Sequence, residues 1–194
     1  MSFDLAALSD GELAALTLAG RQAAFAEIMR RHRDPIYRLI RGHVGQADDA
    51  LDLVQECFSS AFKALDRYDQ QRPLRAWLSR IAVNKCRDWS RRRAVRRLFN
   101  ALPVTGTVLE VQDNSPSLEE AAADREELEL LWQAVAELPS VLKEPLILRT
   151  IEGLSQAEVA DVLRISEKAV ESRIYRARAK LSKIRRPEDS EDPI

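Results

Sequence analysis

The sequence predicts an all-α chain: two small helical domains joined by a flexible acidic linker. Three observations carry this. Apolar residues recur at spacings of three and four along most of the chain, and period-two alternation is nearly absent. The helical pattern fails between Phe99 and Ala123, where "NALPVTGTVLEVQDNSPSLEEAA" mixes Pro, Gly, Thr, Asn and acidic residues. Charge is also segregated: residues 21–97 hold 18 Lys/Arg against 9 Asp/Glu, residues 98–137 hold 1 against 9, and residues 138–186 hold 11 against 6. The net charge of −1 thus hides two basic blocks around an acidic one, as expected of two polyanion-binding units on one chain. The predicted boundaries are a first domain over 1–97, a linker over 98–123, a second domain over 124–186 and a disordered acidic tail over 187–194.

Each element has a local cause. Ser9 with Glu12 forms a capping box before the first helix. From Ala23 to Arg41 the residues Phe25, Ile28, Met29, Ile36, Tyr37 and Ile40 keep helical spacing, with Pro35 as a candidate kink. "GHVGQAD" breaks that pattern with two glycines. From Asp48 to Leu65 a second helix sends Leu51, Val54, Phe58, Ala61, Phe62 and Leu65 towards a core, and Asp52, Gln55, Glu56, Ser59 and Lys63 away from it. "DRYDQQRP" reads as a loop, and "LRAWLSRIAVNKCRDWSRRRAVRR" as a strongly basic helix. After the linker come a helix over 124–137, another in "PSVLKEPLILRTIEG", and a helix-turn-helix in "GLSQAEVADVLRISEKAVESRIYRARAKL". In the last of these, Ser155 with Glu158 is a capping box and Ser166 caps the final helix. Val170, Ile174, Ala177 and Leu181 make its buried stripe.

Several classes are excluded. No apolar run approaches the roughly 18–20 residues that span a bilayer, and "MSFDLAALSDGELAAL" lacks a basic n-region before an apolar stretch. Cys57 and Cys86 have neither metal-ligand spacing nor the look of a disulfide framework, so a cytoplasmic chain with reduced thiols is expected. His32 and His43 have no partnering ligands, and there is no phosphate loop, nucleophile elbow or metal cluster. No catalytic residue, metal or cofactor is expected.

The candidate sites are binding surfaces. In the helix-turn-helix, Arg173 and Arg176 suit either guanine edges or phosphates; an ordinary solvated charged face is the plainer alternative. Its turn, Leu163-Arg164-Ile165-Ser166, has no glycine at the position often held in the left-handed region. In the basic helix, Arg75, Arg80, Lys85, Arg87 and the arginines at 91–93 surround Trp77 and Trp89, an arrangement suited to unstacked bases as well as phosphates. Both tryptophans are equally consistent with core anchors. "DLVQE" at 52–56 shows acids that repel DNA, so it faces a protein or plain solvent.

In order, these parts resemble the extracytoplasmic-function (group IV) class of bacterial sigma factors. "AGRQAAFAEIMRRHRDPIYRLI", "DALDLVQECFSSAFKAL" and "RPLRAWLSRIAVNKCRDWSRRR" resemble the first conserved domain of that family, and "LPSVLKEPLILRTIEGLSQAEVADVLRISEKAVESRIYRARAKL" the last. The resemblance implies that Asp49, Asp52, Gln55 and Glu56 dock on the clamp helices of core RNA polymerase. It implies −10 element contacts by Arg67, Arg75, Trp77, Arg80, Asn84, Lys85, Arg87 and Arg91, with the loop 67–73 capturing a flipped base. It assigns the −35 element to Ser166, Lys168, Ala169, Glu171, Ser172, Arg173, Arg176, Arg178 and Lys180. The linker corresponds to the family's segment that threads towards the polymerase active centre. Further implied are an anti-sigma partner, stress-responsive transcription initiation and no membrane contact by the chain itself. Gly20-Arg21 stands where the family often has Gly-Asp. The alternative is a helix-turn-helix transcriptional regulator that never joins polymerase, with 21–97 as a sensing or dimerisation domain.

Overall fold

The computed structural model describes residues 4–100 and 119–184. The predicted linker, its two ends apart, and the predicted tail lie outside the described residues. The helices are α1 (Asp10–Leu18), α2 (Gln22–Val44), α3 (Ala47–Lys63), α4 (Leu74–Asn100), α5 (Glu119–Glu137), α6 (Ser140–Thr150), α7 (Gln156–Leu163) and α8 (Glu167–Ile184). No strand occurs among the described residues.

The predicted caps are in place. The Ser9 N–H donates to Glu12 Oε2 at 2.7 Å and the Glu12 N–H to Ser9 Oγ at 3.3 Å. Ser155 and Glu158 repeat the box at 2.7 and 3.2 Å, and the Ala169 N–H donates to Ser166 Oγ at 3.2 Å. Each box satisfies two backbone donors that a helix start would otherwise leave open. α2 runs on through Pro35, and only the second of its two glycines ends it. Gly45 takes φ 84°, the left-handed cap that glycine adopts without a Cβ clash, whereas Gly42 stays helical and buried. α4 continues past Arg97 and α5 starts before Asp124, because Leu98 and the acidic-alanine run from Glu119 are good helix formers.

α3 buries Leu53, Val54, Cys57, Phe58 and Ala61. Leu51 and Phe62, expected in the core, are instead 49% and 48% exposed. The stripe packed against α2 and α4 is narrower than the apolar content of α3. Phe62 lies on its margin, edge-on to Phe25 with centroids 5.0 Å apart. The α8 stripe is as expected, with Val170 and Ala177 fully buried and Ile174 and Leu181 half-buried.

The two blocks need not have touched, yet they pack together. α2 lies against α5 and α6, and α4 against α7. One apolar cluster joins Leu13, Ile28, Ile40, Phe58 and Leu78 of the first half to Val135, Ile147, Leu148 and Val159 of the second. A smaller one, Leu138, Leu146 and Ala177, holds α8. Each such side chain contributes about 1.5–3 kcal/mol on full burial. Both cysteines are buried and free; burial pushes the Cys57 thiol up to about 12 and the Cys86 thiol up as well. That leaves almost no thiolate, which argues against the sensing of oxidants by either.

Candidate nucleic-acid interface

α3, α4 and α8 present the three predicted surfaces. On α3, Asp52 and Gln55 stand exposed, while Asp49 and Glu56 are half-buried. The latter two meet cations of α4: Glu56 Oε2 lies 3.7 Å from Lys85 Nζ and 3.7 Å from Arg92 Nη2, and Asp49 Oδ2 lies 3.8 Å from Arg93 Nη1. The acidic patch is therefore partly compensated from within, and Asp52 and Gln55 form its outward edge. Exposed pairs of this kind contribute about 0–1 kcal/mol each, so they shape the patch more than they stabilise it.

On α4 the tryptophans divide. Trp77 is half-buried against Tyr68, centroids 5.4 Å apart, and packs on the main core. Tyr68 fixes the loop below by donating its hydroxyl to the Arg72 carbonyl at 2.7 Å. Trp89 is also half-buried, with the Arg93 guanidinium 5.0 Å above its ring. Arg67, Asn84 and Arg91 are exposed, Arg91 pairing with Asp88 one turn back.

Three other arginines of α4, Arg75, Arg80 and Arg87, face the second half of the chain. Arg75 Nη2 is 3.5 Å from the Gly153 carbonyl. Arg80 Nη2 donates to the Asp161 carbonyl at 2.6 Å and lies 3.4 Å from its carboxylate, which Arg72 also holds at 2.8 Å. Arg87 grips Glu144 with two bonds, 2.8 and 2.5 Å, a fork geometry that only arginine supplies. Burial would raise the Glu144 carboxyl, but Arg87 and His43 outweigh it and hold the group below the usual carboxylate range. His43 Nε2 lies 3.6 Å from Glu144 Oε1, and burial lowers that imidazole despite the carboxylate beside it. Lys143 Nζ, its basicity likewise reduced by burial, donates to the carbonyls of His43 at 2.8 Å and Ala136 at 2.6 Å. Arg41 of α2 reaches Glu129 of α5.

α8 differs. Ser166, Lys168, Glu171, Arg176, Arg178 and Lys180 are exposed, and Ala169, Ser172 and Arg173 half-buried. Arg176 donates to Ser172 at 3.1 Å. Arg164, the residue in the turn without glycine, does adopt the left-handed conformation, at φ 57° and ψ 50°.

Sequence reasoning missed the seam between the halves: Arg41, Lys143, Glu144 and Glu152, all buried. The available signal was the charged pair inside the apolar run "VLKEPLIL", together with a glycine inside a helical pattern at Gly42. Among the described residues no helix is long and apolar enough to cross a membrane.

Two family models match, sigma-70 region 2 over residues 28–96 and sigma-70 region 4 over residues 128–181. The chain is 41% identical to the RNA polymerase sigma factor CnrH of Cupriavidus metallidurans, across 91% of this chain and 94% of that one. It is 31% identical to the ECF RNA polymerase sigma factor SigM of Mycobacterium tuberculosis, across 91% and 84%. The solved structure of CnrH with the cytosolic domain of CnrY superposes with a TM-score of 0.68 at 35% identity, covering 94% of this chain and 99% of that chain. Likeness along both halves removes the stand-alone regulator, whose first half had no reason to match. The chain belongs to the extracytoplasmic-function class of the sigma-70 family of RNA polymerase sigma factors.

Proposed function

We propose that this chain is a dissociable promoter-specificity subunit that docks on the clamp helices of core RNA polymerase through Asp49, Asp52, Gln55 and Glu56. α8 reads the −35 element as duplex, its N-terminal residues at base edges and its Lys/Arg at phosphates. α4 and the loop 67–73 hold the melted −10 strand. Extruding a base costs a few kcal/mol, so melting becomes favourable only when polymerase and both DNA-binding surfaces act together. The chain supplies no catalytic group, and the polymerase makes the RNA in the cytoplasm. The boundaries at 97, 123 and 186 divide docking and −10 recognition from −35 recognition, with 98–123 spanning between them. About 25 residues reach roughly 80 Å at 3.3 Å each, more than the 34–36 Å of one DNA turn.

The observation that carries this is an exposed acid and amide, Asp52 and Gln55, on a chain of this family that also carries two basic helices. Acids there would weaken any protein that met DNA alone. A relative solved with the cytosolic domain of a second protein supports control by a bound anti-sigma factor. The test is run-off transcription with core polymerase and the fragment upstream of this chain's own gene. A specific transcript is expected, and Asp52→Ala with Gln55→Ala should remove it. A transcript that survives both changes overturns docking through this edge.

A further inference from the structure

We propose that the cavity where α2, α4, α5 and α6 meet binds a nucleoside polyphosphate, its phosphates held by Arg93, Arg97 and Lys143 and its base against Trp89. None of the residues assigned above to the polymerase, the −10 element or the −35 element lines this cavity. The site is therefore separate from the three binding surfaces. Size, charge and an aromatic wall point to it together.

The cavity holds about 880 Å³, within the roughly 300–1,000 Å³ of small-molecule sites. Its cations lack partners. Lys143 is 6% exposed, and its ammonium donates to the carbonyls of His43 and Ala136. An ammonium has three donors, so one N–H of a buried cation is left over. No carboxylate pairs with Lys143 among the described residues. Burial disfavours its charge, and an anion in the cavity would offset that penalty. Arg97 is exposed and forms no ion pair among the described residues. Arg93 has Asp49 beside it at 3.8 Å, too far for a hydrogen bond, so its guanidinium fork is available to a phosphate. Glu137 is the one acid in the lining and is exposed. A single phosphate would leave part of this positive charge unmatched, which favours two or more linked phosphates. The wall also carries Trp89, half-buried, with Arg93 5.0 Å over its ring. A nucleobase has the planar face that indole and guanidinium both stack on. Ser90 and Gln133, also in the lining, supply hydroxyl and amide groups for a base or sugar. A bare anion would leave the indole unused, and an uncharged ring would leave the cations unmatched.

The test is titration of the full chain with ATP, followed by tryptophan fluorescence and by calorimetry. ATP should bind at one site per chain and quench part of the fluorescence. The chain has three tryptophans, so loss of the quench in Trp89→Phe assigns the signal. ATP should also raise the Tm, because a ligand that binds only the folded chain stabilises it. Arg97→Ala, at an exposed position where folding is not at stake, should weaken ATP binding about ten-fold, the worth of one charge-assisted hydrogen bond. Lys143→Met should weaken it at least as much. Arg176→Ala combined with Lys180→Ala, on α8, should leave it unchanged. Binding that the α8 pair removes and Arg97→Ala does not is loose attachment to a DNA-binding face, and overturns the proposal. So does adenosine binding as tightly as ATP, which removes the role of the cations, or tripolyphosphate doing so, which removes that of Trp89. No ATP binding at millimolar concentration overturns it outright. The sigma reading is tested separately, by run-off transcription, and stands or falls whatever ATP does.

Discussion

α4 and α8 are both basic helices on the same chain, and they differ in what stands opposite them. Arg75, Arg80 and Arg87 of α4 meet a carbonyl or carboxylate 57–81 residues away in sequence. Lys168, Arg173, Arg176, Arg178 and Lys180 of α8 form no ion pair among the described residues. Charge content says what a helix is able to bind; only the fold says whether that capacity is already used. The edge of α3 proposed for docking lies between these cases, with Asp52 open and Glu56 paired to α4.

The comparison breaks most sharply at Arg87. Glu144 is 4% exposed at its side chain and Arg87 40%. Removing the arginine strands a buried carboxylate, whereas removing the glutamate releases a guanidinium that water already reaches. Arg87→Ala should therefore cost about 3 kcal/mol in urea unfolding, in the range for an orphaned buried charge. Glu144→Ala should cost clearly less. Equal costs would mean that the pair is solvated and that α4 is no more masked than α8.

The difference between the helices also explains what was legible in the sequence. Every feature of α8 is local: Ser166 caps it, Val170 to Leu181 seat it, and its cations follow from a 3.6-residue period. The same holds for the capping boxes and for the core of α3 at Val54 and Phe58. What failed was set by neighbours distant in the chain. Leu51 and Phe62 carry core residue types at positions that the neighbouring helices leave about half exposed, Phe62 against the edge of Phe25. Gly42 looked like a helix breaker because the close approach of Trp132 and Ile147 has no local signature. Nothing local marks Glu144 and Asp161 as partners of Arg87 and Arg80; only the fold sets them there.

A smaller effect is expected at Glu152, on the seam beside α4. Both its carboxylate oxygens are buried without a hydrogen-bond partner. Burial raises this carboxyl above its usual range, with Arg38 and Arg75 pulling the other way. A raised group favours the folded form below its ordinary value near 4.5 and loses that contribution as pH rises through the shifted one. As pH rises towards neutral the wild type thus loses a contribution that favours the folded chain. Glu152→Gln should stabilise the chain by about 1–2 kcal/mol at pH 7, within the range for an unsatisfied buried group, and the advantage should shrink towards pH 4. Urea midpoints of the two proteins across that range check both sign and trend. A gain independent of pH would assign the effect to packing instead of charge.

The smallest change sharpens the α8 side. Arg164 ends α7 at φ 57°, and its N–H donates back to the Ala160 and Asp161 carbonyls, so the left-handed turn is what aims α8. A side chain there costs roughly 1 kcal/mol that glycine avoids, while glycine loses part of the gain by loosening the unfolded chain. Arg164→Gly should accordingly stabilise by a few tenths up to about 1 kcal/mol, a shift of roughly 2–4 °C per kcal/mol in a chain of this size. Because Arg164 is exposed and its guanidinium lies outside the residues assigned to the −35 element, duplex recognition by α8 should follow stability. If Arg164→Gly raises the Tm yet weakens run-off from the chain's own promoter, the arginine is itself a DNA contact. The turn would then serve α8 as a reading residue, and the surface that α8 leaves open would extend one helix turn further towards α7.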